Sequence, residues 1–145
     1  MGAAKRASGL AAPVRGPADV VRFIRSALGP GYGSRAAVVV IGLDAANRVT
    51  GLAENRQRWS LRTLAVQEMV DLSVELAAPA LVLAQLVPNK RGEPSMGDAQ
   101  SFRSLAVRCA PEGVQVLDCV VVSGERWWSL SRLLSHRAGV PGRLA

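Results

Sequence analysis

The chain has 145 residues, of which 49% are hydrophobic and 20% charged, so it is long enough to bury roughly 70% of its unfolded surface and too apolar for wholesale disorder. Its apolar runs stop well short of the ~18 residues a membrane span needs, and its start, Met1-Gly-Ala-Ala-Lys-Arg6, has no secretory apolar core, so the expectations are no membrane and a cytoplasmic location with Cys109 and Cys119 reduced. Eighteen Lys and Arg against 11 Asp and Glu give a formal charge of +7, which draws anionic partners, nucleic acid first among them, and equally serves plain solvation.

Residues 1–16 are small and basic, with Pro13 and Gly16 breaking any periodicity, and read as a flexible arm. Pro17 and Asp19 suit the first turn of a helix, whose apolar stripe is Val20, Val21, Phe23, Ile24 and Leu28. Gly29-Pro-Gly31 ends it. Residues 36–43 are continuously apolar and β-branched, as a central strand covered on both faces is. Asp44-Ala-Ala-Asn47 is turn chemistry and residues 48–52 return as a short strand. A basic stretch follows, Arg56, Arg58 and Arg62 around Trp59. Residues 64–77 form an amphipathic helix with Leu64, Met69, Leu72, Val74 and Leu76 as its core face, and residues 80–87 are a second buried strand. Pro88 to Pro94 is an irregular loop carrying Lys90 and Arg91. Ser95 stands at a helix N-cap with Asp98 in the first turn, and Phe102, Leu105, Ala106 and Cys109 line that helix. Residues 114–122 are a third strong strand, residues 127–134 a last strand or helix, and residues 137–145 a loose tail. Trp127 and Trp128, as strand neighbours, face opposite ways. The order helix, strand, strand, helix, strand, helix, strand gives one α/β domain over residues 17–136, a mixed sheet flanked by helices, with adjacent parallel strands at the helical connections.

Familiar catalytic signatures are missing. Gly29-Pro-Gly31-Tyr-Gly33 lacks the Lys-Ser/Thr of a phosphate loop, no Gly-x-Ser-x-Gly elbow occurs, and Cys109 and Cys119 are too far apart for a metal knuckle. The lone histidine, His136, reads as exposed and structural. The informative stretch is Gln85-Leu-Val87-Pro88-Asn-Lys90-Arg91-Gly-Glu93-Pro94-Ser95-Met-Gly-Asp98. It resembles the RadC family of the JAB/MPN metalloprotease-like superfamily, which carries His-Asn-His-Pro-Ser-Gly, three residues, then Pro-Ser-x-x-Asp between a strand and a helix. Pro88, Pro94, Ser95 and Asp98 fall on the family's positions without a gap. Four further segments agree in order: Gly16-Pro-Ala-Asp-Val20, the strand end Leu43-Asp44-Ala-Ala-Asn47-Arg48, Gln67-Glu-Met-Val70, and Val116-Leu-Asp118-Cys-Val-Val-Val122. The likeness covers about residues 17–130.

The resemblance implies a JAB/MPN fold and, in active members, a zinc ion held by two histidines and an aspartate, with a glutamate as base and a serine steadying the oxyanion. Carried onto this sequence, the histidine positions are Gln85 and Val87, and the glutamate falls on Ala37 within a residue or so; Ser95 and Asp98 are kept. Glutamine is a poor zinc ligand and valine is none. The expectation is therefore a pseudoenzyme with no metal and no cofactor. It would act as a non-catalytic binding or scaffold protein, with a protein partner ahead of nucleic acid; a DNA-repair link comes with the family label alone. Candidate binding residues are Arg56, Arg58, Trp59, Arg62, Lys90 and Arg91, since guanidinium groups grip phosphates or carboxylates and Trp59 can stack or anchor. The rival class is a metal-dependent peptidase or isopeptidase that recruits Glu54, Glu93, Cys119 or a partner's residues.

Overall fold

In a computed structural model of the chain, residues 3–6, 13–31, 36–55, 60–88 and 92–137 are described, the first stretch as backbone only. Six strands, β1 (Ala3–Arg6), β2 (Ala37–Leu43), β3 (Val49–Asn55), β4 (Ala80–Leu86), β5 (Gln115–Ser123) and β6 (Arg126–Ser129), form one sheet in the order β1-β3-β2-β4-β5-β6. Four helices flank it: α1 (Pro17–Leu28), α2 (Val66–Glu75), α3 (Met96–Cys109) and α4 (Leu130–Arg137). The mixed α/β architecture is the expected one. Among the described residues, no helix is long and apolar enough to cross a membrane.

The apolar runs become the central strands because both faces of the sheet are covered. Val38, Val40, Leu81, Leu83, Cys119 and Val121 meet α2, α3 and α4 through Met69, Leu72, Phe102, Leu105 and Leu130. Val39, Ile41, Val82, Ala84, Leu86, Val120 and Val122 meet α1 through Val20, Val21 and Ile24. Strand alternation sends each run's side chains to both layers, which is why the runs are apolar at most positions rather than at every second residue. Trp127 packs against the α1 layer and Trp128 against the other. α1 is tied to the β5–β6 turn by Arg25, whose guanidinium reaches the Gly124 carbonyl at 3.3 Å and Glu125 at 3.6 Å.

Four expectations need correction. Only β4 and β5 are parallel neighbours; β2 pairs antiparallel with both β3 and β4. The connection through α2 carries β4 past β2, so the two strands it joins run the same way without touching. Within the arm, Ala3–Arg6 is an edge strand antiparallel to β3, with Ala3 opposite Glu54 and Arg6 opposite Gly51. Its Ala-Ala-Lys-Arg sequence has little strand preference, and the pairing comes from the open β3 edge. Val74 lies outside the core at 75% exposure, because α2 spans Val66–Glu75 and its buried stripe is Met69 and Leu72. Finally, residues 126–137 are both strand and helix, β6 turning directly into α4.

Candidate functional site

The residues on the family's ligand positions come from the end of β4 and the start of α3. In β4, Leu81 and Leu83 face the α2–α3–α4 layer while Val82, Ala84 and Leu86 face α1, so alternation puts Gln85 on the α3 side. Val87, just past the strand, also packs on that layer, and its N–H donates to the Val122 carbonyl at 2.9 Å. Gln85 lies in register with Val38 on β2 and Val121 on β5, two buried valines. Ala37 is opposite Leu86 and belongs to the α1 layer. The β2 residue that shares the face of Gln85 is therefore Val38, one position on, and neither residue carries a carboxylate.

Ser95 and Asp98 open α3. The Asp98 N–H donates to Ser95 Oγ at 3.1 Å and the Ser95 N–H donates to Asp98 Oδ2 at 3.0 Å. This reciprocal capping box satisfies two of the helix's otherwise orphaned donors. The helix needs it because Pro94 precedes the cap and Gly97 is its second residue, neither of which helps to nucleate a turn. α3 then lays Ala99, Phe102, Leu105 and Cys109 into the core, which brings its first turn to the same side of the sheet as Gln85 and Val87.

Of the candidate substitute ligands, Glu54 and Glu93 lie apart from Gln85 and Cys119 shares its layer. Glu54 pairs with Val39 on β2 and shares that residue's α1 face by alternation, with the sheet between it and Gln85. Glu93 is exposed in the loop before α3. Cys119 faces the right layer but is fully buried; burial, then the charges of Asp118 and Asp98, push its thiol well above the ordinary cysteine range. It is a buried core thiol. Among the described residues, no three His, Cys, Asp or Glu side chains are grouped to hold a metal ion.

Several residues that carry the resemblance are joints of the fold. The Asp44 carboxylate accepts from the N–H groups of Ala46 and Arg48 at 2.8 and 2.9 Å, folding the β2–β3 turn in which Asn47 takes φ 60°. Asp19 accepts from the Arg15 N–H at 2.8 Å and pairs with Arg22, contacts that hold its pKa down. Glu68 reaches back to the Ala65 N–H at 3.2 Å at the start of α2.

Asp118 is the residue whose role was least visible beforehand. A bulge at Leu117 shifts the β4–β5 register, and the Asp118 carboxylate then accepts from Ser129 Oγ at 2.6 Å, from the Ser131 N–H at 3.0 Å and from the Cys119 N–H at 2.7 Å. Ser129 Oγ in turn accepts from the Arg132 N–H at 3.2 Å. The carboxylate thus fixes the junction of β6 and α4. Burial raises its pKa, against the lowering effect of these hydrogen bonds and of Arg132. An acid inside a run of valines was the one hint of this role.

Of the candidate binding residues, Arg62 is exposed within the turn at residues 61–63. Arg56, Arg58, Trp59, Lys90 and Arg91 lie outside the described residues. His136 is exposed on α4.

No curated protein matches the chain. The family described as the RadC-like JAB domain matches residues 14–135, from just before α1 to within α4, and so takes in β2 to β6 and every joint described above. That match extends over well more than half of the sequence, and the chain belongs to the RadC family of JAB domains.

Proposed function

We propose that this protein is a non-catalytic member of its family and acts by binding another polypeptide. The observation that carries the reading is the donor set on the α3 side of the sheet: an amide at Gln85, a hydrocarbon at Val87, and one carboxylate, Asp98, already engaged with the Ser95 N–H. Zinc asks for nitrogen, sulfur or carboxylate ligands in a tetrahedron, and this set does not fit it. Nor does it fit magnesium or calcium, which take six or more oxygens. The base position is filled by Ala37 or Val38, neither of which takes a proton. Ser95 and Asp98 have an adequate reason to be present as the α3 cap.

What the fold retains is an end of a sheet beside a helix start, with a short edge strand, β6, nearby. Extended peptides add to such edges through main-chain hydrogen bonds and gain specificity from side-chain pockets. The sequence adds Trp59 as the first candidate anchor, large aromatic side chains being the commonest interface hot spots.

The test has two parts. Elemental analysis of protein purified without chelator is expected to find well under one zinc per chain. One zinc per chain lost on Asp98→Ala, together with peptidase or isopeptidase turnover, would overturn the reading in favour of the hydrolase class. A photo-reactive residue in place of Gln85 is then expected to cross-link to polypeptide in a cell extract. Cross-links to nucleic acid alone would remove the polypeptide partner.

A further inference from the structure

We propose that the outer face of α3 is a binding groove for the phosphodiester backbone of a single-stranded nucleic acid. A concavity of about 370 Å³ lies between the turn at residues 61–63 and α3, with Arg62 on one wall and Gln100, Ser101, Ser104 and Arg108 on the other. It is distinct from the Gln85 face and does not rest on the reading of that face.

Four features point to phosphates. Among the described residues, the lining contains two guanidinium groups and no carboxylate, and neither arginine is ion-paired. Arg108 Nε donates to the Ser104 carbonyl one turn back at 3.3 Å, which lays the side chain along the helix and leaves its terminal nitrogens for a ligand. The nearest acid in sequence, Glu112, stands one turn beyond Arg108 and is not part of the lining. Second, the Gln100 amide and the Ser104 hydroxyl are exposed and each can donate to an anion, while Ser101 Oγ gives its proton to the Gly97 carbonyl at 3.0 Å and offers none.

Third, Gln100, Ser104 and Arg108 recur at four-residue spacing along one face of the helix. They span about 12 Å at 1.5 Å per residue. Donors strung along a length suit successive phosphates of one chain better than a single anion. A concave trough also admits one strand where a duplex would rest on its rims. Fourth, among the described residues that line it the only large apolar side chain is Leu61, itself buried, and the chain's formal charge of +7 favours a polyanion.

The experiment is fluorescence anisotropy of the full chain with a labelled oligothymidylate of about fifteen nucleotides, at about 50 and 200 mM salt. Arg62→Gln with Arg108→Gln is expected to weaken binding at least about tenfold and to lower the salt slope by about 1.4, two lost phosphate contacts on a single strand. Arg48→Gln with Arg103→Gln, which removes the same charge from exposed positions outside the groove, is expected to weaken it less than about threefold. All four side chains are exposed, so neither variant should disturb folding, which circular dichroism checks. Equal losses in the two variants would show attraction by net charge alone and overturn the groove. No binding at the lower salt would overturn it as well. Displacement of the oligonucleotide by a polyglutamate peptide of equal charge and equal affinity would assign the groove to an acidic protein instead.

Discussion

At the level of single residues, the side chains kept from the family pattern make hydrogen bonds that shape the local fold. Ser95 and Asp98 close each other's hydrogen bonds at the head of α3. Ser95→Ala is expected to cost about 0.5–2 kcal/mol, read from urea unfolding, with partner binding unchanged. Loss of an activity at unchanged stability would instead return Ser95 to a chemical role. Asp118 makes a sharper case. Truncation to Ala strands the Ser131 and Cys119 N–H groups in a half-buried place and should cost about 1–3 kcal/mol. Asn keeps an oxygen for those two donors, and its amide can donate to Ser129 Oγ, so Asp118→Asn should be nearly neutral. The two proteins should also differ in pH dependence. The folded-state pKa of Asp118 is raised, mainly by burial, so the folded form binds its proton more tightly than the unfolded chain does. Between the unfolded and folded pKa values that extra stability is lost as pH rises. The stability of the wild type relative to Asp118→Asn should therefore increase as pH falls from about 7 to 4; a flat difference would mean that the carboxylate is not desolvated.

The elements meet at places where one atom decides the fit. α2 ends in a Schellman motif, the Ala78 N–H donating to the Ser73 carbonyl at 2.9 Å and the Ala77 N–H to Val74 at 3.1 Å. Ala77 takes the left-handed φ of 52° that this motif asks of its C′ residue. Ala77→Gly should raise stability by up to about 1 kcal/mol, since glycine reaches that conformation without a Cβ clash. The chain leaving the motif then crosses β2 at Gly42. A Cβ there would sit 2.7 Å from Ala78 Cβ and from Thr50 Oγ1, and 3.0 Å from Leu76 Cβ. None of these atoms is the far end of a flexible side chain. Gly42→Ala should therefore cost about 1–3 kcal/mol. Thermal unfolding of the two variants should move in opposite directions, and a shared direction would refute the account of this crossing.

For the whole molecule, the decisive question is whether the strand end and the helix start converge as a metal centre requires. Gln85→His with Val87→His puts two imidazoles on the α3 side of β4, the side to which the first turn of α3 brings Asp98. This double variant is expected to bind about one zinc per chain by isothermal titration, with none expected for the wild type, and Asp98→Ala in that background should abolish it. Failure of the restored histidines to bind would show that the strand end and the helix start do not converge.

Much of this was legible in the sequence, for a physical reason. Strands covered on both faces are apolar at most residues rather than at every second one, so the runs at residues 36–43, 80–87 and 114–122 declared themselves. Caps and turns need particular side chains at fixed offsets, which marked Asp19, Asp44, Ser95 and Asp98. The family resemblance lay in these same boundary residues, and their positions held. Pairing and facing were not legible. Antiparallel contact of β2 with β4 depends on where the α2 connection drops the strand, and the edge pairing of Ala3–Arg6 on an open neighbour. A bulge of one residue at Leu117 helps to aim Asp118 at the β6–α4 junction, and one step of alternation separates Ala37 from the face of Gln85. Local sequence determined which segments are strands and helices and where each begins, because those choices are settled within a few residues. Which side chains share a face is settled by contacts between segments distant in the chain, and that only the tertiary structure decided.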